Sequence, residues 1–262
     1  MSRVWLWIAP LTVGIGAALL FGAGFVLALR GSIGDPIGEP PPPSRQARPR
    51  IPHGGAFRIL VIGDSLAKGT GDESGKGFAL DVLEAFRKRG PSEITNLAVN
   101  GVESSEVRTL VETSNVRALV TGADLILVSV GANDLSHALP RGGGAPAEVA
   151  DSLAQARSQY VANLRAILQE LRASNAGAPI CALGLYDPFG EESGPGRLGT
   201  EVILQWNMLL TQTALSFPHV FVIPTFDLLY GRLDRLSADR YHPNRQGYAE
   251  IAARVLQAVP VS

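Results

Sequence analysis

A serine follows the first strongly apolar run of the chain. Residues 58–62 lead into Gly63, and Asp64-Ser65-Leu66 come next. A serine that comes directly after a buried strand and a glycine lies on a tight turn, with its hydroxyl near the upper edge of the sheet. That position suits a nucleophile whose own backbone N–H faces a developing oxyanion. The same residues are also typical of a helix cap, so this motif alone leaves both interpretations open.

Two further motifs offer hydrogen-bond donors without charge. Asn100-Gly101 follows the second apolar run, and Asn133 follows the third run after a glycine. A glycine at position 101 allows a ligand to approach its backbone N–H closely. The amide of Asn133 carries two N–H donors, which suits the binding of an oxyanion. Each motif taken singly is equally typical of an ordinary turn.

A fourth motif combines a base with a carboxylate. His242 can accept a proton from a serine, and Asp239, three residues earlier, can hold the imidazole in the required tautomer. Pro243 restricts the backbone of His242 to an extended conformation, and a helical pattern starts soon after it. Pairs of this type also occur in helix-entry turns and in metal sites.

The other histidines do not indicate a metal site. His53 lies in a proline-rich segment, His219 precedes a predicted strand, and His137 is expected on the surface. A metal requires more ligands than one Asp-x-x-His pair supplies, and the four histidines do not cluster with Cys181, the single cysteine. We therefore predict no metal and no cofactor, and one cysteine excludes an intramolecular disulfide.

Alternating strands and helices must position these residues. Apolar runs predict buried parallel strands at residues 58–62, 94–99, 124–130, 179–185 and 220–223. Apolar residues at helical spacing predict helices that include residues 78–86, 153–171, 202–210 and 248–256. This alternation predicts an α/β fold in which a parallel sheet has helices on both faces. Functional sites in such sheets form at the carboxyl ends of the strands, where the first three motifs lie.

Composition limits the class of protein. The chain has 262 residues, of which 46% are hydrophobic and 18% charged, and this balance excludes an intrinsically disordered protein. From Phe57 onward there are 18 basic and 22 acidic residues, a net charge of −4. An acidic domain argues against a nucleic-acid partner.

The N-terminus is far more apolar than the rest. Residues 4–29 are 26 residues without a charge. A helix of that length is about 39 Å long and can cross a hydrocarbon core of about 30 Å. Trp5 and Trp7 lie where aromatic residues favour the membrane interface. We predict a single transmembrane anchor over residues 1–30, with a cleaved signal peptide as the alternative, although the run is long for one.

A proline-rich linker follows the predicted anchor. Residues 31–56 contain four consecutive prolines, which favour an extended spacer, with a proline-recognition ligand as the alternative. The chain thus divides into an anchor (1–30), a linker (31–56) and a globular domain (57–262). Arginines flank both ends of the apolar run, so the positive-inside rule does not fix the orientation. We expect the domain at the cell membrane, on the extracytoplasmic side.

The four motifs together resemble those of the GDSL, or SGNH, hydrolase family. They occur in the family's order between Phe57 and Val259, which is nearly the whole globular part. The resemblance implies a catalytic triad of Ser65, His242 and Asp239. It also implies an oxyanion hole formed by the N–H of Ser65, Gly101 and Asn133.

The resemblance also implies a fold and a class of members. The family fold is a flavodoxin-like three-layer α/β/α sandwich around a five-stranded parallel sheet, which agrees with the five apolar runs. Residues 185–188 and 224–227 are similar to bacterial membrane-anchored lipase/acylhydrolase members. Ala67 departs from relatives that carry a small hydroxyl residue there, which bears on the pocket and not on the triad.

These observations predict a serine esterase or acylhydrolase that forms an acyl-enzyme. Expected partners are a small-molecule, lipid or glycan ester and the membrane, and the sequence does not indicate an oligomeric state. Within enzymes, an envelope-glycan O-acetylesterase and a thioesterase or lysophospholipase are alternatives. A membrane-tethered binding or scaffold protein on the same fold is the alternative from a different class.

Overall fold

The computed structural model describes residues 55–139, 144–190 and 196–259. These residues include five strands. The strands are β1 (Phe57–Gly63), β2 (Ser92–Asn96), β3 (Leu125–Ser129), β4 (Ile180–Leu183) and β5 (Val220–Ile223). They form one parallel sheet in the order β2-β1-β3-β4-β5. The predicted five-stranded parallel sheet is confirmed.

Helices connect the strands. They are α1 (Ser65–Lys68), α2 (Gly77–Arg87), α3 (Ser104–Val111), α4 (Ser114–Thr121), α5 (Ala132–Ala138), α6 (Pro146–Ser174), α7 (Gly196–Ala214), α8 (Phe226–Leu229) and α9 (Arg245–Ala258), with a 3₁₀ turn at Leu233–Arg235. The four predicted helices correspond to α2, α6, α7 and α9.

Side chains alternate between the two faces of the sheet and bury against a helical layer on each. Leu60 and Ile62 of β1 point to one face, where they join the core formed by α3, α4, α5, α6 and α7. Ile59 and Val61 point to the other face, where α1, α2, α8 and α9 cover them. The result is the expected three-layer α/β/α sandwich.

Five short helices (α1, α3, α4, α5 and α8) and several boundaries differ from the prediction. α3, α4 and α5 have seven or eight residues each, which is too short for a helical period to stand out. β2 begins at Ser92, two residues before the predicted start. The prediction missed these two residues because they lie on an edge strand and are polar. Leu97 and Val99 lie beyond β2, yet their N–H groups still donate to β1 carbonyls.

The order of the strands determines where a site can form. β2 lies on one side of β1, and β3, β4 and β5 lie on the other. The strand order therefore changes direction at β1, which makes the boundary between β1 and β3 a topological switch point. In open parallel sheets the crevice at such a switch point, at the carboxyl ends of the strands, is where ligands bind. The residues that follow β1 and β3 therefore face each other across this crevice.

The predicted anchor, residues 1–30, and most of the predicted linker lie outside the described residues, as does His53. Among the helices at residues 55–139, 144–190 and 196–259, none has the combination of length and apolarity that a membrane span needs.

Candidate active site

Ser65 is presented by a turn that only glycine allows. Gly63, the last residue of β1, has φ of +142°, and a Cβ there would lie 2.0 Å from the carbonyl oxygen of Ser129. The chain can therefore pass directly against β3 and start α1 at Ser65. The hydroxyl of Ser65 thereby lies at the carboxyl end of β1, as the sequence predicted.

Asp64 holds this turn from within the protein. Its Oδ1 accepts hydrogen bonds from the N–H of Leu66 (3.1 Å) and from the hydroxyl of Ser129 (2.7 Å). Burial raises the pKa of the Asp64 carboxyl to about 6, although these hydrogen bonds act in the opposite direction. Asp64 thus caps α1 and ties it to β3, and this capping role is the second of the two interpretations open from sequence.

Three side chains form a hydrogen-bonded series. Nε2 of His242 lies 2.9 Å from Oγ of Ser65, and Nδ1 of His242 lies 2.7 Å from Oδ2 of Asp239. Because an ionised carboxylate only accepts, Nδ1 carries the proton and Nε2 is left to accept from the serine hydroxyl. The imidazole side chain is mostly buried, with 17% of its surface exposed.

The carboxylate of Asp239 is ionised in the folded protein. Partial burial raises its pKa, but hydrogen bonds from the side chains of Ser237 and His242 and from two backbone N–H groups outweigh burial. The pKa of Asp239 therefore lies well below its usual range. A stable negative charge beside Nδ1 is what an imidazole needs in order to take up a proton at Nε2.

The segment that carries His242 is anchored on both sides. The N–H of Ser237 donates to the carbonyl of His242 at 2.8 Å. Asn244 caps α9 with its Oδ1, and its Nδ2 donates to the carbonyls of Asp234 and Leu236. The turn around His242 is thereby fixed against the start of α9.

Gly101 lies in the loop between β2 and α3. Its φ is +80°, and a Cβ added there would meet no atom within 4 Å, so its surroundings are open. The neighbouring Asn100 accepts a hydrogen bond from the hydroxyl of Thr70 at 2.9 Å. The N–H of Thr70 donates in turn to the carbonyl of Ser65 at 3.0 Å. Two hydrogen bonds thus connect the loop of Gly101 to the helix of Ser65.

Asn133 lies at the start of α5, after β3. Its Nδ2 donates to the carbonyl of Val102 at 2.8 Å, which places the asparagine beside the loop of Gly101. An amide has two N–H groups, so this bond fixes the side chain and leaves one donor for a ligand. The structure thus places Asn133 next to the residue that follows Gly101.

Two contacts from the same helix strengthen this junction. Asp134 accepts from the N–H of Ser104 at 2.9 Å and from its hydroxyl, and so caps α3. Nδ1 of His137 lies 2.5 Å from Oε1 of Glu103, and its side chain is half exposed. α5 therefore holds three consecutive residues, 102–104, which end the loop of Gly101.

Sequence reasoning missed Ser237 and Thr70, which support the site. Ser237 stands two residues before Asp239 and is a local signal that the motif could have included. Thr70 and Asn100 are thirty residues apart, and no pattern in the sequence connects them. In the described part of the chain, no group of three or more His, Cys, Asp or Glu residues is arranged to hold a metal.

Comparison with known proteins gives a family match. The sequence model of the GDSL-like Lipase/Acylhydrolase family matches residues 61–250. The chain is 28% identical over 207 residues to the uncharacterized protein YpmR of Bacillus subtilis, covering 77% of this chain and 80% of the relative. It is 26% identical over 219 residues to the spore germination lipase LipC of Bacillus licheniformis, covering 77% and 96%.

A solved structure supports the fold. The lipase Lip_vut3 from a goat rumen metagenome superposes with a TM-score of 0.68 at 23% identity. The alignment covers 79% of this chain and 100% of that one. The three-layer arrangement is therefore shared over the full length of that lipase.

Proposed function

The chain belongs to the GDSL-like lipase/acylhydrolase family, and we propose that it hydrolyses carboxylic esters through Ser65, His242 and Asp239. Membership makes the chain a carboxylic ester hydrolase. The observation that carries the proposed mechanism is the hydrogen-bonded series from Oγ of Ser65 through His242 to Asp239.

In the acylation step, Oγ of Ser65 attacks the carbonyl carbon of the ester while Nε2 of His242 takes the serine proton. Asp239 stabilises the resulting imidazolium. The tetrahedral intermediate then collapses, the bond from the acyl carbon to the alcohol oxygen breaks, and His242 returns the proton to the departing alcohol. The products are a free alcohol and an acyl-Ser65 ester.

The negative charge on the carbonyl oxygen needs donors that are already in place. We assign these to the backbone N–H groups of Ser65 and Gly101 and to the free N–H of Asn133. The bonds from Thr70 to Asn100 and from Asn133 to Val102 support this assignment, because they hold the Gly101 loop near Ser65 and Asn133.

Deacylation repeats the steps with water. His242 takes a proton from the water as the oxygen attacks the acyl carbon, and the proton then passes to Oγ of Ser65 as the acid leaves. Apart from the ester and water, the reacting groups are side chains and backbone of this chain, so chelation by EDTA is expected to leave the rate unchanged.

A fluorophosphonate probe tests the mechanism and separates it from a binding protein on the same fold. Wild-type protein should be labelled at Ser65, and Ser65→Ala should lose both labelling and hydrolysis of 4-nitrophenyl acetate. Ser105→Ala, which changes an exposed serine of α3, is the matched control and should behave as wild type. Asn133→Ala should retain labelling but lose roughly 10²–10³ in kcat. Full activity of Ser65→Ala would overturn the proposal.

The natural substrate is proposed only as a class. Lipid, glycan and small-molecule esters share the bond that the site cleaves, and the similarity to a spore germination lipase supports an acyl ester. An O-acetylated envelope glycan, a thioester and a lysophospholipid are the alternatives. A screen with one alcohol and acyl chains of increasing length, followed by one acyl group and varied alcohols, would order these classes.

We also propose that residues 1–30 anchor the enzyme in the cell membrane, with residues 31–56 as a spacer and the hydrolase domain on the extracytoplasmic side. The support is the run of 26 residues without a charge. Protease added to intact cells should digest the domain if it lies outside. Complete protection of a domain that is digested after lysis would contradict this location.

A further inference from the structure

Two aromatic rings continue outward from His242. The rings of Tyr241 and His242 lie 4.9 Å apart, centroid to centroid, in an edge-to-face arrangement. The ring of Phe189 lies 6.1 Å from that of Tyr241. Phe189 comes from the loop after β4, so two separate segments bring these rings together.

Phe189 is exposed although it is large and apolar. It has 62% of its surface exposed, while Tyr241 beneath it is partly buried. A single exposed apolar residue is common on protein surfaces and by itself indicates nothing. Phe189 differs from such residues in two ways. Its ring lies beside that of Tyr241, the residue before His242, and hydrogen bonds hold its backbone.

A buried carboxylate fixes the turn that presents Phe189. Asp187 has 1% of its surface exposed, and its Oδ1 accepts from the N–H groups of Phe189 (2.9 Å) and Gly190 (3.3 Å). Its Oδ2 accepts from the hydroxyl of Thr200 at 2.6 Å. Burying a carboxylate is costly unless it is fully hydrogen-bonded, so this turn has a defined shape.

The backbone beneath the second ring is held as well. The hydroxyl of Tyr186 donates to the carbonyl of Tyr241 at 2.9 Å. Tyr186 and Asp187 are adjacent in the chain, so one short segment after β4 holds the backbone of both Phe189 and Tyr241. The backbone that carries the two rings is therefore already in place, which reduces the entropy lost when a ligand binds to them.

The direction of the ester in the site decides what this surface contacts. The carbonyl oxygen must face the donors at Ser65, Gly101 and Asn133, whereas the leaving oxygen must face Nε2 of His242, which protonates it. Groups attached to the leaving oxygen therefore extend on the side of His242. The ring of Tyr241 contacts the ring of His242, and the ring of Phe189 contacts that of Tyr241.

We propose that Phe189 and Tyr241 form the binding surface for the alcohol portion of the ester and select alcohols that carry a flat, apolar ring. The assignment rests on the proposed function, because it requires His242 to protonate the leaving oxygen. Stacking on an exposed aromatic ring favours a ring-shaped group over a short alkyl group of the same leaving ability.

Two acetate esters test this selection. Ethyl acetate and 2-phenylethyl acetate have alcohols of closely similar acidity, and both give the same acetyl-enzyme. The ratio of their kcat/KM values therefore reports contacts of the alcohol up to acylation, whereas the rate of deacylation is common to both. Wild-type enzyme should prefer the phenylethyl ester, and Phe189→Ala should reduce this preference by about three- to tenfold.

The controls distinguish a ring contact from general loss of apolar surface. Phe189→Tyr keeps the ring and should retain the preference within about twofold of wild type. Leu215→Ala removes an exposed apolar residue directly after α7 and should change nothing. The ratio of ethyl hexanoate to ethyl acetate, which varies only the acyl chain, should be the same in Phe189→Ala as in wild type.

An unchanged preference in Phe189→Ala would overturn the proposal, and so would a shift in the acyl-chain ratio instead. Either result would leave the proposed mechanism intact as long as the fluorophosphonate still labels Ser65. Absence of both labelling and hydrolysis in the wild-type protein would instead overturn the proposed function itself.

Discussion

Asp239 approaches the imidazole of His242 with only one of its two carboxylate oxygens. Oδ2 lies 2.7 Å from Nδ1, while Oδ1 accepts from the hydroxyl of Ser237 and from the N–H groups of Tyr241 and His242. The carboxylate is thus fixed by three donors through one oxygen and orients the imidazole through the other. Because the two oxygens have different roles, a substitution can keep the role of Oδ1 and change that of Oδ2.

Asp239→Asn should retain the fold and lose the activity. The asparagine oxygen can still accept from the three donors, which places the amide nitrogen toward Nδ1. An N–H there forces the imidazole into the tautomer in which Nε2 carries the proton and can no longer accept from Ser65. We expect kcat/KM for 4-nitrophenyl acetate to fall by roughly 10³–10⁴ with the thermal midpoint little changed.

Asp234→Asn is the control for this change, because Asp234 is an exposed carboxylate five residues away. It should keep wild-type activity. Loss of less than tenfold in Asp239→Asn would show that the imidazole does not depend on this carboxylate for its tautomer.

Thr70→Val should lower kcat with little change in KM. The substitution preserves the shape of the side chain but removes the hydroxyl that donates to Asn100 and holds the loop of Gly101. Loosening the oxyanion donor at Gly101 lowers the rate less than deleting a donor does, so we expect kcat to fall about three- to tenfold. Steady-state kinetics with one acetate ester measures it, and Thr70→Ser, which keeps the hydroxyl, should restore the rate. Equal losses in the Val and Ser variants would rule out the hydrogen bond as the cause.

Asp64 should make the stability of the protein fall as pH rises between about 4 and 6. Burial raises the pKa of its carboxyl from 3.8 to about 6 in the folded state. The unfolded chain therefore loses this proton first, and over this window it binds fewer protons than the native state. The free energy of unfolding then decreases with pH and levels off above the folded pKa, by about 3 kcal/mol in total.

Asp64→Asn keeps an oxygen for Leu66 and Ser129 but removes the titration. Urea unfolding of both proteins at pH 4, 5, 6 and 7 should show the variant gaining stability relative to wild type as pH rises. Other titrating groups cancel in this difference. Parallel curves for the two proteins would contradict the assignment of the effect to Asp64.

Gly131→Ala should destabilise the domain. The residue has φ of +118°, and a Cβ there would lie 2.7 Å from the buried ring of Tyr160. Backbone strain and overpacking together predict a loss of about 2–4 kcal/mol in the free energy of unfolding. Gly177→Ala is the control, because its added Cβ meets nothing within 4 Å. Similar unfolding midpoints for the two variants would show that this turn can relax.

The central strands β1, β3 and β4 were predictable from sequence because burial on both faces gives them continuous apolar runs. β3 is the clearest case, since all five of its residues are buried. α6 illustrates the limit: it starts at Pro146, but its first two turns are mostly exposed and carry no apolar stripe. The start of a helix that extends beyond the core leaves no periodic signal.

The candidate site was also predictable only in part. The predicted site residues stand in short motifs next to predicted elements, so their placement at one edge of the sheet follows from the topology. These residues are Ser65, Gly101, Asn133, Asp239 and His242. The contacts of Thr70 with Asn100 and of Phe189 with Tyr241 join segments that are far apart in the chain. Such approaches depend on the three-dimensional path of the loops, which residue types and spacing do not specify.

The hydrogen bond between Ser65 and His242 joins residues 177 positions apart. Ser65 belongs to the first described helix, and His242 precedes the last, α9, whose Tyr248 donates to the carbonyl of Thr70 beside the first. A ribosome must therefore synthesise nearly the whole domain before the nucleophile meets its base. The nascent chain can bury much of its sheet earlier, but it stays chemically inert until its C-terminal helix closes against its beginning.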